Sequence, residues 1–162
     1  MKNYCIQVQQ ESPWGQIDSS TTFEPGISSV STPRHGGIKV SEYYADQHLT
    51  AAAKAAAIHQ DGVYWFEEDC AWCIPAWELL LLRPQFFSYS KKTPEQQAEY
   101  LLTTLKHWEV AYCIAQGLIT EGEEFFCMGC KYGVHSTVKI TTDDAGKKHY
   151  TCSECKRNLE AR

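Results

Sequence analysis

The sequence predicts an α+β fold: a small antiparallel sheet packed by two or three helices, followed by a β-hairpin that four cysteines hold together. Three observations carry this. Short β-forming runs separated by turn residues fill residues 12–41 and 63–66. An apolar stripe at helical spacing runs through residues 94–116 behind a proline start signal. Two Cys-x-x-Cys pairs, Cys127-Met-Gly-Cys130 and Cys152-Ser-Glu-Cys155, stand 21 residues apart.

Each element follows in turn. Ser12-Pro-Trp-Gly15 opens as a turn. One strand is expected near 15–23 and another near 27–31, with Glu24-Pro25-Gly26 turning the chain between them. The run Ser31, Thr32, Pro33, Arg34, His35, Gly36, Gly37 is expected as a loop with special backbone freedom, and Ile38 begins a third short strand. Ala51 to Ala57 has very high helix propensity and ends at Asp61-Gly62. Val63 to Phe66 reads as a strand. Glu67, Glu68 and Asp69 follow, with Asp69 placed to cap a helix that carries Cys70, Trp72, Cys73, Ile74, Trp77 and Leu79 to Leu82. Pro75 there implies either a kink or a later start with proline in the first turn. Arg83-Pro84 stops it.

The clearest helix spans 94–116. Thr93 is its N-cap, Pro94 suits the first helical position, and Gln96 completes a capping box. Ala98, Leu101, Leu105, Trp108, Tyr112 and Ala115 form one buried stripe, and Gly117 caps the end. Glu121-Gly-Glu-Glu124 reads as a linker, which divides the chain into an α+β domain over 1–122 and a small module over 123–162. Phe125 and Phe126 are expected where the two meet.

With 162 residues, 43% of them hydrophobic, the chain has ample material for a packed core. No run approaches the ~20 apolar residues of a membrane span, and the first residues lack the apolar core of a signal peptide. The expectation is a cytoplasmic protein that meets no membrane. In that setting, eight cysteines with paired spacing point to metal rather than disulfides. Charge is uneven. Residues 1–125 hold 8 Lys+Arg against 16 Asp+Glu, a net of −8, while residues 126–162 hold 7 against 4, a net of +3. A divalent ion on four thiolates brings the tail close to neutral, which disfavours a nucleic-acid clamp.

Cys127, Cys130, Cys152 and Cys155 are the expected ligands of one Zn2+. Val138 to Thr142 alternates, Asp143-Asp-Ala-Gly146 has turn chemistry, and the chain returns through Lys147 to Thr151. A hairpin between two cysteine turns resembles a zinc ribbon, over about residues 125–158. Four cysteines close the coordination sphere, so this zinc is read as structural. His135 and His149 lie within the ribbon but are not needed as ligands. Chelation is then expected to unfold residues 126–156 and leave the helical body standing.

The body carries a second likeness. Trp14-Gly15, Pro25-Gly-Ile27, Ser31-Thr-Pro-Arg-His-Gly-Gly-Ile-Lys39, the stretch from Tyr64 to Cys70, and Trp108 recur in an order that resembles an uncharacterised domain family of phage and mobile-element proteins. The likeness covers about residues 12–117, and S-T-P-x-H-G-G is its most specific part. It implies a phage or mobile-element origin and an action on host defence or regulation. No activity comes with it.

Three functional readings follow. The first is an accessory protein that binds a host protein, its acidic body occupying a basic groove and so inhibiting a defence or regulatory complex. The second is a small enzyme in which His35 works with Glu67, Glu68 or Asp69 as an acid–histidine pair. That reading requires His35 and at least one of the carboxylates to converge; the plain alternative is a tight turn between strands. Glu67, Glu68 and Asp69 are also a possible divalent-cation cluster, or simply favour the following helix N-terminus. The third is a nucleic-acid adaptor using Lys131, Lys139, Lys147, Lys148, Lys156 and Arg157, disfavoured by charge. Cys70 and Cys73 read mainly as buried small residues, with a redox pair, or a second metal site completed by Cys5, Cys113, His48, His59 or His107, as the alternatives. Trp65, Trp72, Trp77, Trp108, Tyr64, Phe86 and Phe87 are expected mostly in the core.

Overall fold

The computed structural model describes residues 11–130 and 133–160. Cys5 and Lys131 lie outside the described residues. A two-residue antiparallel pair, β1 (Glu11–Ser12) and β2 (Gly15–Gln16), precedes the main sheet. The sheet itself contains β3 (Ser19–Glu24), β4 (Ile27–Ser31), β5 (Gly36–Ser41), β6 (Ile58–Gln60) and β7 (Val63–Glu67). Its order is β3-β4-β5-β7-β6 and every pairing is antiparallel. Gly26, at φ +98°, makes the tight turn from β3 to β4.

Two helices, α1 (Glu42–His48) and α2 (Ala51–Ala56), sit between β5 and β6. Ser41 and Thr50 cap them, each accepting a backbone N–H with its hydroxyl. Asp61-Gly62, expected to end the alanine-rich helix, does not: α2 ends at Ala56 and β6 follows. Both residues have positive φ (53° and 72°), the geometry of a tight hairpin between β6 and β7. The sequence gives β6 no signal because it is short, exposed and at the sheet edge.

Next come α3 (Cys73–Glu78), a 3-10 turn (Leu80–Leu82), α4 (Arg83–Phe86), α5 (Pro94–Trp108) and α6 (Val110–Ala115). Helix α3 starts late, with Pro75 in its first turn. Asp69 is not its cap. The cap position is Trp72, and the Glu67 carboxylate instead accepts the backbone N–H groups of Asp69 (2.8 Å) and Cys70 (3.4 Å). The capping box of α5 forms with both arms. The helix expected over 94–116 is broken, however, because Glu109 leaves helical geometry at φ −114°, ψ 47°. The stripe is therefore interrupted: Leu101, Leu105 and Tyr112 are buried, while Trp108 is 45% exposed.

The C-terminal sheet has three strands in the order β10-β9-β8: β8 (Glu124–Cys127), β9 (Val134–Thr142) and β10 (Lys148–Cys152). Glu124, expected in a linker, is the first residue of β8. The hairpin β9–β10 is thus extended by a strand that leads into the first cysteine pair. Asp143 closes the hairpin turn by accepting the N–H groups of Ala145 and Lys147.

One hydrophobic cluster joins Ile27, Ile38, Val40 and Phe66 of the main sheet to Ile74, Leu101 and Leu105, and continues through Phe125 and Val138 of the C-terminal sheet to Leu159 beyond its last strand. A smaller cluster of Val30, Val63 and Trp65, covered by Trp14 and Ile17, lies apart from it. No described helix is long and apolar enough to cross a membrane.

Candidate functional sites: a four-cysteine centre and the His35 turn

Strands β8 and β10 each end in a cysteine turn. In the first turn the Cys130 N–H donates to the Cys127 carbonyl (3.3 Å), and in the second the Lys156 N–H donates to the Cys152 carbonyl (3.1 Å). The four sulfurs all lie within 4.8 Å of one another. Cys127 Sγ is 3.8 Å from Cys155 Sγ, and Cys130 Sγ is 3.6 Å from Cys152 Sγ. A disulfide needs about 2.05 Å. A tetrahedral ion with metal–sulfur bonds of about 2.3 Å sets its sulfurs about 3.8 Å apart, the separation seen here. Cys127, Cys130 and Cys152 are buried and Cys155 is exposed.

Burial and the neighbouring sulfurs push the Cys130 thiol up to about 12, and burial also raises Cys127. Burial opposes ionisation of Cys152 as well, but the Ser136 hydroxyl, with Oγ 3.0 Å from Sγ, and the N–H groups of Cys155 and Glu154 outweigh it, bringing that thiol down to about 6. Four thiolates cannot coexist in this space without a positive ion among them. Ser136 also meets Ser153, whose hydroxyl accepts the Thr137 N–H. No local pattern reveals Ser136; it reaches Cys152 only because β9 lies beside β10. Gly133, at φ +57°, has no room for a Cβ, which would lie 2.7 Å from the Phe126 ring. His149 pairs with Asp143 (2.9 Å) and His135 packs on His107, so neither enters the sulfur group.

The second site is the β4–β5 turn. Thr32, buried, holds it closed: its hydroxyl donates to the His35 carbonyl (2.8 Å) and accepts the His35 N–H (3.1 Å). Ser31 ends β4, Pro33 and Arg34 form the exposed tip, and Gly36 and Gly37 belong to β5 rather than to the loop. Their backbones do not use positive φ. They are glycines because other groups occupy the Cβ positions. A Cβ on Gly36 would lie 2.4 Å from Glu68 Oε2, and one on Gly37 would lie 2.2 Å from the Phe66 carbonyl oxygen and 2.5 Å from the Trp14 ring.

His35, Glu67 and Glu68 converge at this end of the sheet, one ligand atom from each within 4.8 Å of the others. Asp69 is not in the group. The Glu68 N–H donates to the Gly36 carbonyl (3.1 Å), fixing the acidic run against the turn. Glu68 also lines a cleft of about 260 Å³ formed with Ser29, Val30, Gly37, Ile38, Trp72 and Phe86. Trp72 and Phe86 pack against each other in its wall, ring centroids 4.6 Å apart and planes tilted by 36°. These two aromatics were expected in the core; Phe86 is partly exposed and Trp72 half-buried.

Among the described residues, Cys70 and Cys73 join no group of three ligands. Cys73 is buried, donates its thiol to the Cys70 carbonyl (2.8 Å), and has its pKa raised by that burial. Cys113 is likewise pushed up to about 12 by burial. Both behave as packed apolar groups. Phe126, expected where the two parts of the chain meet, does lie there, but its partners carried no sequence signal: His107, Trp108, Phe126 and His135 form a ring cluster where α5 meets β8 and β9, with Trp108 5.0 Å from Phe126 and His107 5.0 Å from His135.

A family model described as "Domain of unknown function (DUF7007)" matches residues 7–124. The match ends as β8 begins and so excludes all four cysteines of the C-terminal centre. No curated protein and no solved structure matches the chain.

Proposed function

The chain belongs to the DUF7007 family, and, resting on the motif resemblance of its body for the origin, we propose that it is a phage or mobile-element accessory protein that acts in the host cytoplasm by binding a host protein and inhibiting a defence or regulatory complex. One structural Zn2+ on Cys127, Cys130, Cys152 and Cys155 holds its ribbon, in keeping with sulfur separations of 3.6 and 3.8 Å. The observation that carries the binding reading is the ring cluster at Trp108. A tryptophan 45% exposed, held on a helix and backed by Phe126, has the character of an interface anchor. The acidic body adds charge complementarity to a basic partner. The test is affinity capture from host lysate with the full chain and with Trp108→Ala. A stoichiometric partner retained by the first and lost by the second is expected. The reading is abandoned if no partner appears or if the substitution leaves capture unchanged.

A second reading is favoured by a specific observation, the convergence of His35 with Glu67 and Glu68. It is a small enzyme in which His35 moves a proton and a carboxylate orients it. The three groups are largely exposed, which weakens any catalysis that needs water excluded. The nucleic-acid reading gains little: Lys156 is folded back on the Ser153 carbonyl and Arg157 packs along Gly129. Failure to retain DNA or RNA at low salt removes it.

A further inference from the structure

We infer that His35, Glu67 and Glu68 form a second metal site, distinct from the cysteine centre and suited to a divalent transition-metal ion such as Mn2+. The donor set is mixed: one imidazole and two carboxylates. Imidazole suits transition ions and carboxylates suit Mn2+ and harder ions, so the combination disfavours Ca2+ and Mg2+. The spacing fits an ion better than a direct contact. One ligand atom from each residue lies within 4.8 Å of the others, yet no hydrogen bond or ion pair joins His35 to either glutamate. Neither glutamate is paired with a lysine or arginine among the described residues. Two adjacent carboxylates and an imidazole therefore face one another, and among the described residues no lysine or arginine forms an ion pair with them.

The backbone builds this arrangement. Gly36 leaves the space that Glu68 Oε2 occupies, where any Cβ would stand 2.4 Å away. Glu67 uses Oε2 on the Asp69 and Cys70 N–H groups, which orients its carboxylate and leaves Oε1 for an ion. The Thr32 hydroxyl holds the turn that presents His35. Three protein ligands leave further coordination positions for water or a ligand, and Glu68 is shared with the cleft that Trp72 and Phe86 line. An anionic group on the metal and a flat apolar group in the cleft is the ligand chemistry this neighbourhood accommodates. The inference uses residues of the enzyme reading but needs no turnover, so it stands or falls on metal binding alone.

The test titrates Mn2+ into the full zinc-loaded chain and follows the electron paramagnetic resonance signal of the free aqueous ion. One Mn2+ per chain is expected to leave that signal. His35→Asn and Glu68→Gln are each expected to weaken binding roughly tenfold or more, the scale of lost coordination support. Asp69→Asn should leave binding unchanged, since Asp69 is outside the group. Zinc content reports on folding of each variant, and if His35→Asn loses it, Glu68→Gln decides. No Mn2+ uptake at millimolar ion overturns the site. So does binding that survives His35→Asn and Glu68→Gln, or that falls equally with Asp69→Asn, which marks diffuse attraction to an acidic surface.

Discussion

A methyl group added at Gly37 would lie 2.2 Å from the Phe66 carbonyl oxygen and 2.5 Å from the Trp14 ring. Neither neighbour can yield easily, because Phe66 is in a paired central strand and Trp14 packs edge-on to Trp65. Gly37→Ala is therefore expected to cost about 1–3 kcal/mol of stability, read by urea denaturation. A cost below a few tenths of a kcal/mol contradicts the packing account. The sequence marked this glycine, but as a source of backbone freedom; its real constraint is a neighbour distant in sequence. His107 offers a second prediction at this scale. Burial lowers its pKa and the facing His135 lowers it further, while Glu124 acts the other way. The unfolded chain, with the ordinary value near 6.5, then binds more protons than the fold in the window just below it. Stability from this residue is full above pH 6.5 and declines as pH falls through that window. His107→Gln should flatten the decline, and a nuclear magnetic resonance titration should place the His107 midpoint below 6.5.

Hydroxyls start three of the described helices, α1, α2 and α5, and two of these caps differ in load. Thr93 caps α5, and its bonds stay within the first turn of that helix, with Gln96 in the capping box and with Glu95 and Gln97 beside it. Thr50 caps α2 and also donates to Glu78 of α3 (2.6 Å), while Gln116 donates to it (2.7 Å) and Tyr112 of α6 donates to the same carboxylate (2.8 Å). Thr93→Ala is expected to cost about 1 kcal/mol. Thr50→Ala should cost about 2 kcal/mol, because it also strips partners from Glu78 and Gln116. Equal losses would show that the network between the helices contributes nothing. Such caps were legible because the bond closes within three residues. The break at Glu109 was not, since Leu105 and Tyr112 keep helical spacing across it while the backbone changes. Strands β6 and β8 were missed for a related reason: each is defined by the strand it pairs with, not by its own composition. The cysteine centre was fully legible from spacing, whereas Ser136 beside Cys152 and the ring pair Trp72–Phe86 arise from contacts between separate elements.

At the scale of the molecule, the cysteine centre and the body share one core. Phe125 is fully buried in the same cluster as Leu101 and Leu105, β8 packs on α5, and Lys106 of α5 pairs with Glu123 just before β8. The backbone continues the join, with Gly122 donating to the Val138 carbonyl (2.8 Å) and Val138 to Glu123 (2.9 Å). Removing the metal should then do more than release the two cysteine turns. A ligand bound only by the folded state stabilises every element that melts with it. Chelation is expected to lower the melting temperature of the whole chain in a single transition, followed by far-ultraviolet circular dichroism for the helices and by the fluorescence of the five tryptophans, all of them before the cysteine turns. A chain cut at residue 122, which lacks Phe125, should melt lower still, because the apolar surface of Leu101 and Leu105 loses its cover. If chelation instead leaves the helical transition unmoved while only the cysteine turns unfold, the shared core carries no coupling and the ribbon is energetically independent of the body it rests on.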